Sequence, residues 1–313
     1  MKTLKYFFLI IITAIIFIGC ETIISPELQN AEPLLVVDAW VTNMPGSQTI
    51  ILSQTQPYFE NKLPPPVSNA IITVIENGSK TYNFLEDPAK PGYYSWTPVG
   101  NEVFGMVGLS YKLTVQVGTD VYESTSKMGP VPPIDSIQYK KNEPDQQNPD
   151  FYLAQFFAKD VIGLGDTYWI KTFKNGIFLN KPSEINVAYD AGFDAGGPFF
   201  SRIENNIPIL VDFIPPIRNR INPNDTDEND NALSPYIPGD SVMVEIHSIT
   251  LQSFAYLRQL AEQTNRPGGF SELFSKPLAN VSTNIVNPNP NGKKAVGFFN
   301  VAAVSSLGKK FKK

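Results

Sequence analysis

The sequence predicts a mainly β protein in two parts: an N-terminal β-sandwich, immunoglobulin-like or transthyretin-like, followed by a second β-rich domain with one helix. Three observations lead there. Seven short apolar or alternating runs crowd into residues 34–126, parted by glycine, proline and Asn-Gly punctuation. The chain holds 21 Phe, 13 Tyr and 27 Pro against only 18% charged residues, which suits pleated aromatic surfaces joined by proline-broken loops. Met128-Gly129-Pro130-Val131-Pro132-Pro133 then interrupts the strand pattern, because proline has no N–H to give a ladder.

The first element, residues 1–19, has the build of an export signal. Lys2 and Lys5 precede a run from Tyr6 to Ile18 that is apolar except for Thr13. Phe17-Ile18-Gly19-Cys20 closes the run with a small residue before the only cysteine, Phe17 standing where leucine is commoner. At 13 residues the run fits a signal peptide and is short for a membrane span. The expectation is a lipoprotein, cut before Cys20, with a diacylglycerol on its sulfur and an acylated amine. Each buried methylene contributes about 0.8 kcal/mol, so two or three acyl chains anchor stably where one does not. One acid, Glu21, follows the cysteine, and the expected location is the outer membrane with the leaflet open. Residues 20–33 read as a tether.

Residues 34–129 form the expected sandwich. The run 34–41 is nearly continuous apolar, as in a strand buried on both faces. Residues 49–53 follow a Met44-Pro45-Gly46-Ser47 turn. Residues 70–76 and 80–85 flank Asn77-Gly78, a tight hairpin signal. Residues 93–96 are a short aromatic strand after Pro91-Gly92. In 111–117, Tyr111, Leu113, Val115 and Val117 alternate with Lys112, Thr114 and Gln116, and Gly118 turns that strand into 121–126.

Residues 130–133 read as a proline-rich linker, and 134–313 as the second domain. Strands are expected at 134–139, 152–158, 167–174 and 177–179, with short strands and insertions across 183–240. In 241–249, Val242, Val244 and Ile246 face one way and Met243, Glu245 and His247 the other. The period then changes. Phe254, Leu257, Leu260 and Ala261 share a helical face near 250–264, with Ser248 or Thr250 as cap and Pro267-Gly268-Gly269 as stop. The helix is expected to plug one end or face of the second domain. A last strand is expected at 296–304, then a basic tail.

Composition narrows the function. Loss of Lys2 and Lys5 takes the formal charge from −5 to −7, which does not favour nucleic acid. No Gly-x-Ser-x-Gly elbow occurs, and a single histidine, His247, cannot make a His-Glu-x-x-His zinc motif. His247 reads as a half-exposed strand residue beside Glu245, and no catalytic residue is assigned. Asp225, Asp227 and Asp230 alternate along one loop and are the candidate calcium ligands, against the plainer reading of a solvated acidic loop. Tyr93, Tyr94 and Trp96 fall on both strand faces, so they do not build one sugar platform. Lys309, Lys310, Lys312 and Lys313 read as a frayed basic end.

Several stretches, in order, resemble a family of lipoproteins from Bacteroidetes-type bacteria, domain of unknown function 4249. They are Glu32-Pro33-Leu34-Leu35-Val36-Val37-Asp38-Ala39-Trp40-Val41, Tyr58-Phe59, Pro66-Val67-Ser68-Asn69-Ala70 and Gly129-Pro130-Val131-Pro132-Pro133-Ile134-Asp135-Ser136-Ile137. Gly239-Asp240-Ser241-Val242, Ile246-His247-Ser248-Ile249 and Ala295-Val296-Gly297-Phe298-Phe299 complete the set. His247 and the long segment 183–238 depart from the family's pattern. The resemblance implies an outer-membrane lipoprotein, often encoded beside a TonB-dependent receptor, and carries over no catalytic residue. The function expected is a lipid-anchored accessory protein that partners such a receptor in nutrient capture. The alternatives are a surface hydrolase of glycans or peptides, or a structural envelope or adhesion protein.

Overall fold

The computed structural model describes residues 32–57, 60–143, 148–159, 161, 165–189, 221–266, 268–269 and 280–312, and the backbone of 201–204, 207–210 and 214–217. The expected signal segment, Cys20 and most of the expected tether lie outside the described residues, as do parts of the expected 183–240 insertion.

The seven runs expected before Pro130 are strands β1 (Leu35–Thr42), β2 (Gln48–Gln54), β3 (Ile71–Glu76), β4 (Lys80–Asp87), β5 (Lys90–Trp96), β6 (Ser110–Val117) and β7 (Asp120–Lys127). Beyond the linker come β8 (Ile134–Lys141), β9 (Tyr152–Ala158), β10 (Thr167–Lys174), β11 (Ile177–Phe178) and β12 (Asn186–Tyr189), with a 3-10 turn at Pro182–Glu184. A short hairpin of β13 (Ser201–Glu204) and β14 (Ile207–Leu210) precedes β15 (Ile214–Ile217) and β16 (Ser241–Ile249). The helix α1 (Leu251–Thr264) and strands β17 (Ala295–Ala302) and β18 (Val304–Lys310) finish the described chain. No helix among the described residues is long and apolar enough to cross a membrane.

The fold is mainly β, as expected, and its first sheet curls almost shut. It has eight strands in the order β17-β1-β2-β5-β4-β3-β6-β7. All neighbours are antiparallel except β1 and β17, which run parallel with Leu35 opposite Ala295 and Thr42 opposite Ala302. The two edges approach each other where the Val301 N–H donates to Ser126 Oγ at 3.0 Å. Glu123 and Val286 exchange backbone bonds beside that seam. A closed sheet leaves fewer unpaired edge groups, which lowers the hazard of pairing with another chain. Inside, Val37, Ile50, Leu52, Tyr94, Val115 and Phe299 are essentially without solvent exposure.

The second core lies between two smaller sheets. One has β15, β9 and β8 in that order; the other runs β11-β10-β16-β18, with β12 also paired to β10. Phe156, Tyr168, Val244 and Tyr236 fill the space between them. Lys309 Nζ donates to the Ile137 carbonyl at 2.7 Å, and Phe311 is buried. The expected frayed basic end is therefore in large part a strand, because β18 completes the edge of β16.

The expected single strand at 296–304 is two. Its first part joins the first core through Phe299 and Val301, and the chain crosses to the second sheet between Ala302 and Val304. The first core thus draws Ile285, Ala295 and Ala303 from far beyond residue 129. Val131, inside the proline-rich stretch, packs against both cores.

Helix α1 begins as expected. Thr250 caps it, its hydroxyl accepting from the Ser253 N–H at 3.1 Å. Asn300 of β17 accepts from the Thr250 N–H and from Ser253 Oγ, at 3.2 and 2.7 Å. The helix packs on β10, β12 and β17 together, so it wedges between strands of both cores instead of plugging one end of the second.

Candidate functional site

A cleft of about 520 Å³ opens where the helix meets the two sheets. Strand alternation decides what faces it. Along β1, Leu35, Val37, Ala39 and Val41 point into the first core, so Val36, Asp38 and Trp40 point out to the cleft. The run expected to be buried on both faces therefore has one core face and one cleft face. Along β10, Tyr168, Ile170 and Thr172 point into the second core, and Trp169 and Lys171 point to the cleft. Helix α1 contributes Tyr256, Leu257 and Leu260, and the 3-10 turn contributes Glu184.

Register assembles a line of polar groups on the β10–β16 face. Lys171 stands opposite Glu245, and Trp169 opposite His247. His247 Nε2 and Glu245 Oε2 are 2.7 Å apart. Burial pushes His247 down to about 4, against the opposing pull of its bond to Glu245. The imidazole is therefore neutral near pH 7 and its Nε2–H donates to the carboxylate. Burial pushes Glu245 up, but the His247 bond and the positive charge of Lys171 outweigh it and hold Glu245 below the usual range. Burial lowers Lys171, with Glu245 and Asp38 pulling the other way. Asp38 is open to solvent at the cleft mouth yet crowded by protein, and that crowding raises it despite the Lys171 charge.

Aromatic rings frame the cleft. Trp40 stacks on Phe298 with centroids 5.8 Å apart and meets Trp169 edge to face at 5.0 Å. Tyr256 packs on Phe298 at 4.7 Å. Lys171 Nζ sits 4.0 Å from the centre of the Trp169 ring, a cation–π contact. Glu184 accepts from the Lys181 N–H through Oε2, while its Oε1 is buried without a partner.

Among the described residues, the candidates the sequence singled out do not line the cleft themselves. His247 is 5% exposed rather than half-exposed, because the strand face that carries it lies against Trp169 beneath the junction of the two cores. Asp225, Asp227 and Asp230 share a tight loop but are not brought together as ligands. Asp225 pairs with Lys181 at 2.5 Å, and Asp227 accepts from the N–H groups of Asn229 and Asn231. Asp230 adopts a left-handed turn conformation with φ 61°. Among the described residues no group of three or more histidine, cysteine or acidic side chains is placed to hold a metal ion. Tyr94 and Trp96 are core residues and Tyr93 is exposed, so these rings build no platform. Cys20 lies outside the described residues.

Sequence reasoning missed Asp38, Lys171, Trp40 and Trp169. One signal was present: Asp38 is a lone acid inside an apolar strand run, a position that burial penalises unless a nearby charge or solvent offsets it.

The fold and cleft define a β-rich protein with a ligand-sized cavity at the joint of two cores. The chain belongs to the family described as domain of unknown function (DUF4249), whose profile matches residues 21–307. A comparison with curated proteins finds no match.

Proposed function

We propose that the protein is a lipid-anchored accessory subunit of the outer membrane that captures a small ligand beside a TonB-dependent receptor. The observation that carries this reading is the cleft. A cavity of about 520 Å³ lies within the ~300–1,000 Å³ typical of small-ligand sites, and it has an apolar lining with a few charged groups. The Cys20 motif supports the anchor. An anchored binder shares a two-dimensional sheet with its receptor, so a modest affinity suffices to keep the pair together.

The test is affinity purification of the full chain from native membranes in mild detergent, with mass spectrometry of co-purifying proteins. A TonB-dependent receptor is expected at near-stoichiometric yield, and Cys20→Ala should release the protein from the membrane fraction. Purification without a receptor, or membrane retention of Cys20→Ala, would overturn the reading. One observation favours a hydrolase instead: two carboxylates, Asp38 and Glu184, line the same cleft. Turnover of an envelope glycan or peptide that is lost in Asp38→Asn would establish it.

A further inference from the structure

Two ionisable side chains of opposite sign face this cleft without partners of their own. Lys171 rests over Trp169, and among the described residues its ammonium has no hydrogen-bond acceptor and no carboxylate within ion-pair distance. Asp38, on the β1 wall, likewise has no donor and no cation within that distance. Lys171 senses Glu245 and Asp38 only through space, and Asp38 senses Lys171 in the same way. This differs from the other charges nearby. Glu245 is bonded to His247, and Glu184 is bonded through Oε2 to the Lys181 backbone N–H, with only its Oε1 left open.

Lys171 is half-buried without an acceptor, and a ligand anion would replace the solvation it has lost, while Asp38 at the cleft mouth offers a carboxylate to a ligand cation. The complement of this cleft carries an anion toward Lys171 and a cation toward Asp38. Much of the remaining lining is apolar, including Val36, Ile51, Leu257 and Leu260. An apolar side chain lodged there gains from leaving water. The aromatic rings argue against a sugar. Trp40 is stacked on Phe298, and a face of Trp169 already carries Lys171, so those ring faces are in use.

We propose that the cleft binds a zwitterion of the α-amino acid class, a free amino acid or short peptide with apolar side chains, its carboxylate on Lys171 and its ammonium on Asp38. The proposal rests on the reading of this cleft as the capture site. It adds the class of ligand and assigns one end of it to each wall.

The experiment is calorimetric titration of the purified full-length lipoprotein in mild detergent. The titrants are leucine, alanyl-leucine and trialanine, their N-acetylated and C-amidated forms, and maltose. At least one free zwitterion should bind, and capping either end should weaken it tenfold or more. Which of the three binds best separates an amino acid from a peptide. Lys171→Met should bind free and amidated forms alike, and Asp38→Asn should bind free and acetylated forms alike. That exchange of sensitivities separates ligand contact from a folding defect, since both variants must still bind to show it. Equal binding of capped and free forms would overturn the proposal, as would binding of maltose alone or of nothing in the panel. Those outcomes with the receptor still co-purifying would remove the ligand class and leave the accessory role standing. Zwitterion binding without a receptor would do the reverse.

Discussion

Trp40 and Trp169 meet edge to face with ring centroids 5.0 Å apart and planes at 68°. Trp40 projects from β1 and Trp169 from β10, so one indole pair ties the sheet of the first core to that of the second. Truncating either ring to alanine should destabilise the fold by about 3 kcal/mol, the lower part of the range for large aromatic deletions, since both are only half-buried. The double variant should show a coupling of about 0.5–1.5 kcal/mol in urea titrations. A coupling of zero would mean that the two cores are joined by other contacts.

Among the described residues, the seam of the first sheet is bridged by the bond from the Val301 N–H to Ser126 Oγ, with the Glu123–Val286 backbone pair beside it. Both residues are buried. Ser126→Ala leaves the Val301 donor without an acceptor and should cost about 1–3 kcal/mol. Hydrogen exchange at the Val301 amide should accelerate with it. Unchanged exchange would show that water replaces the hydroxyl.

Gly297 sits in the parallel β1–β17 pair at φ 97°, and an added Cβ would lie 2.1 Å from the Val37 carbonyl oxygen. Gly297→Ala should therefore separate the two strands and lower stability by at least about 3 kcal/mol, combining strain with a backbone clash. Gly108 is the control. It too has a positive φ, 88°, but open space around its Cβ position, so Gly108→Ala should cost only about 1–2 kcal/mol. Equal losses would mean that conformation alone matters at residue 297.

Residues 33–131 expressed alone lack β17 and with it Phe299 and Val301 of the first core. Such a fragment should give a poorly dispersed amide spectrum. Adding residues 280–303 through a linker should restore dispersion, because β1 regains its parallel neighbour. A fragment that folds without them would show that β17 only decorates the sheet.

Acid should destabilise the protein in a definable window. His247 falls from 6.5 to about 4 on folding, so between those values the unfolded chain binds a proton that the native state refuses. Stability is then greatest above pH 6.5 and falls on acidification at up to about 1.4 kcal/mol per pH unit, for a total of about 3 kcal/mol. Glu245 is held below its usual value, so its contribution is present above the carboxylate range and is lost only at still lower pH. Urea midpoints at pH 7.5 and 5 should differ in the wild type. His247→Gln should flatten the difference, and an equal slope in both would assign the effect to other groups.

Local pattern was legible because each residue's nearest neighbours set it. The alternation of Tyr111, Leu113 and Val115 became the inward face of β6. Asn77-Gly78 became a hairpin with both residues at positive φ, 46° and 74°. The change of period after Ile249 became α1 with Thr250 as its cap. The same local reading overstated the solvent exposure of His247 and merged β17 with β18, because alternation tells which residues share a face but not what covers that face.

What the amino-acid sequence by itself determined is therefore the mainly β character, the position of the seven N-terminal strands and the place of helix α1. Tertiary structure alone decided that β1 takes its partner from residues 295–302, that the first sheet nearly closes, and that the chain crosses between cores at Ala303. It also decided the cleft. Asp38 and Lys171 are 133 positions apart in the chain, and nothing in their local sequence links them. They face one cavity because strand alternation turned each away from its own core, and because α1 packs across both sheets beside it.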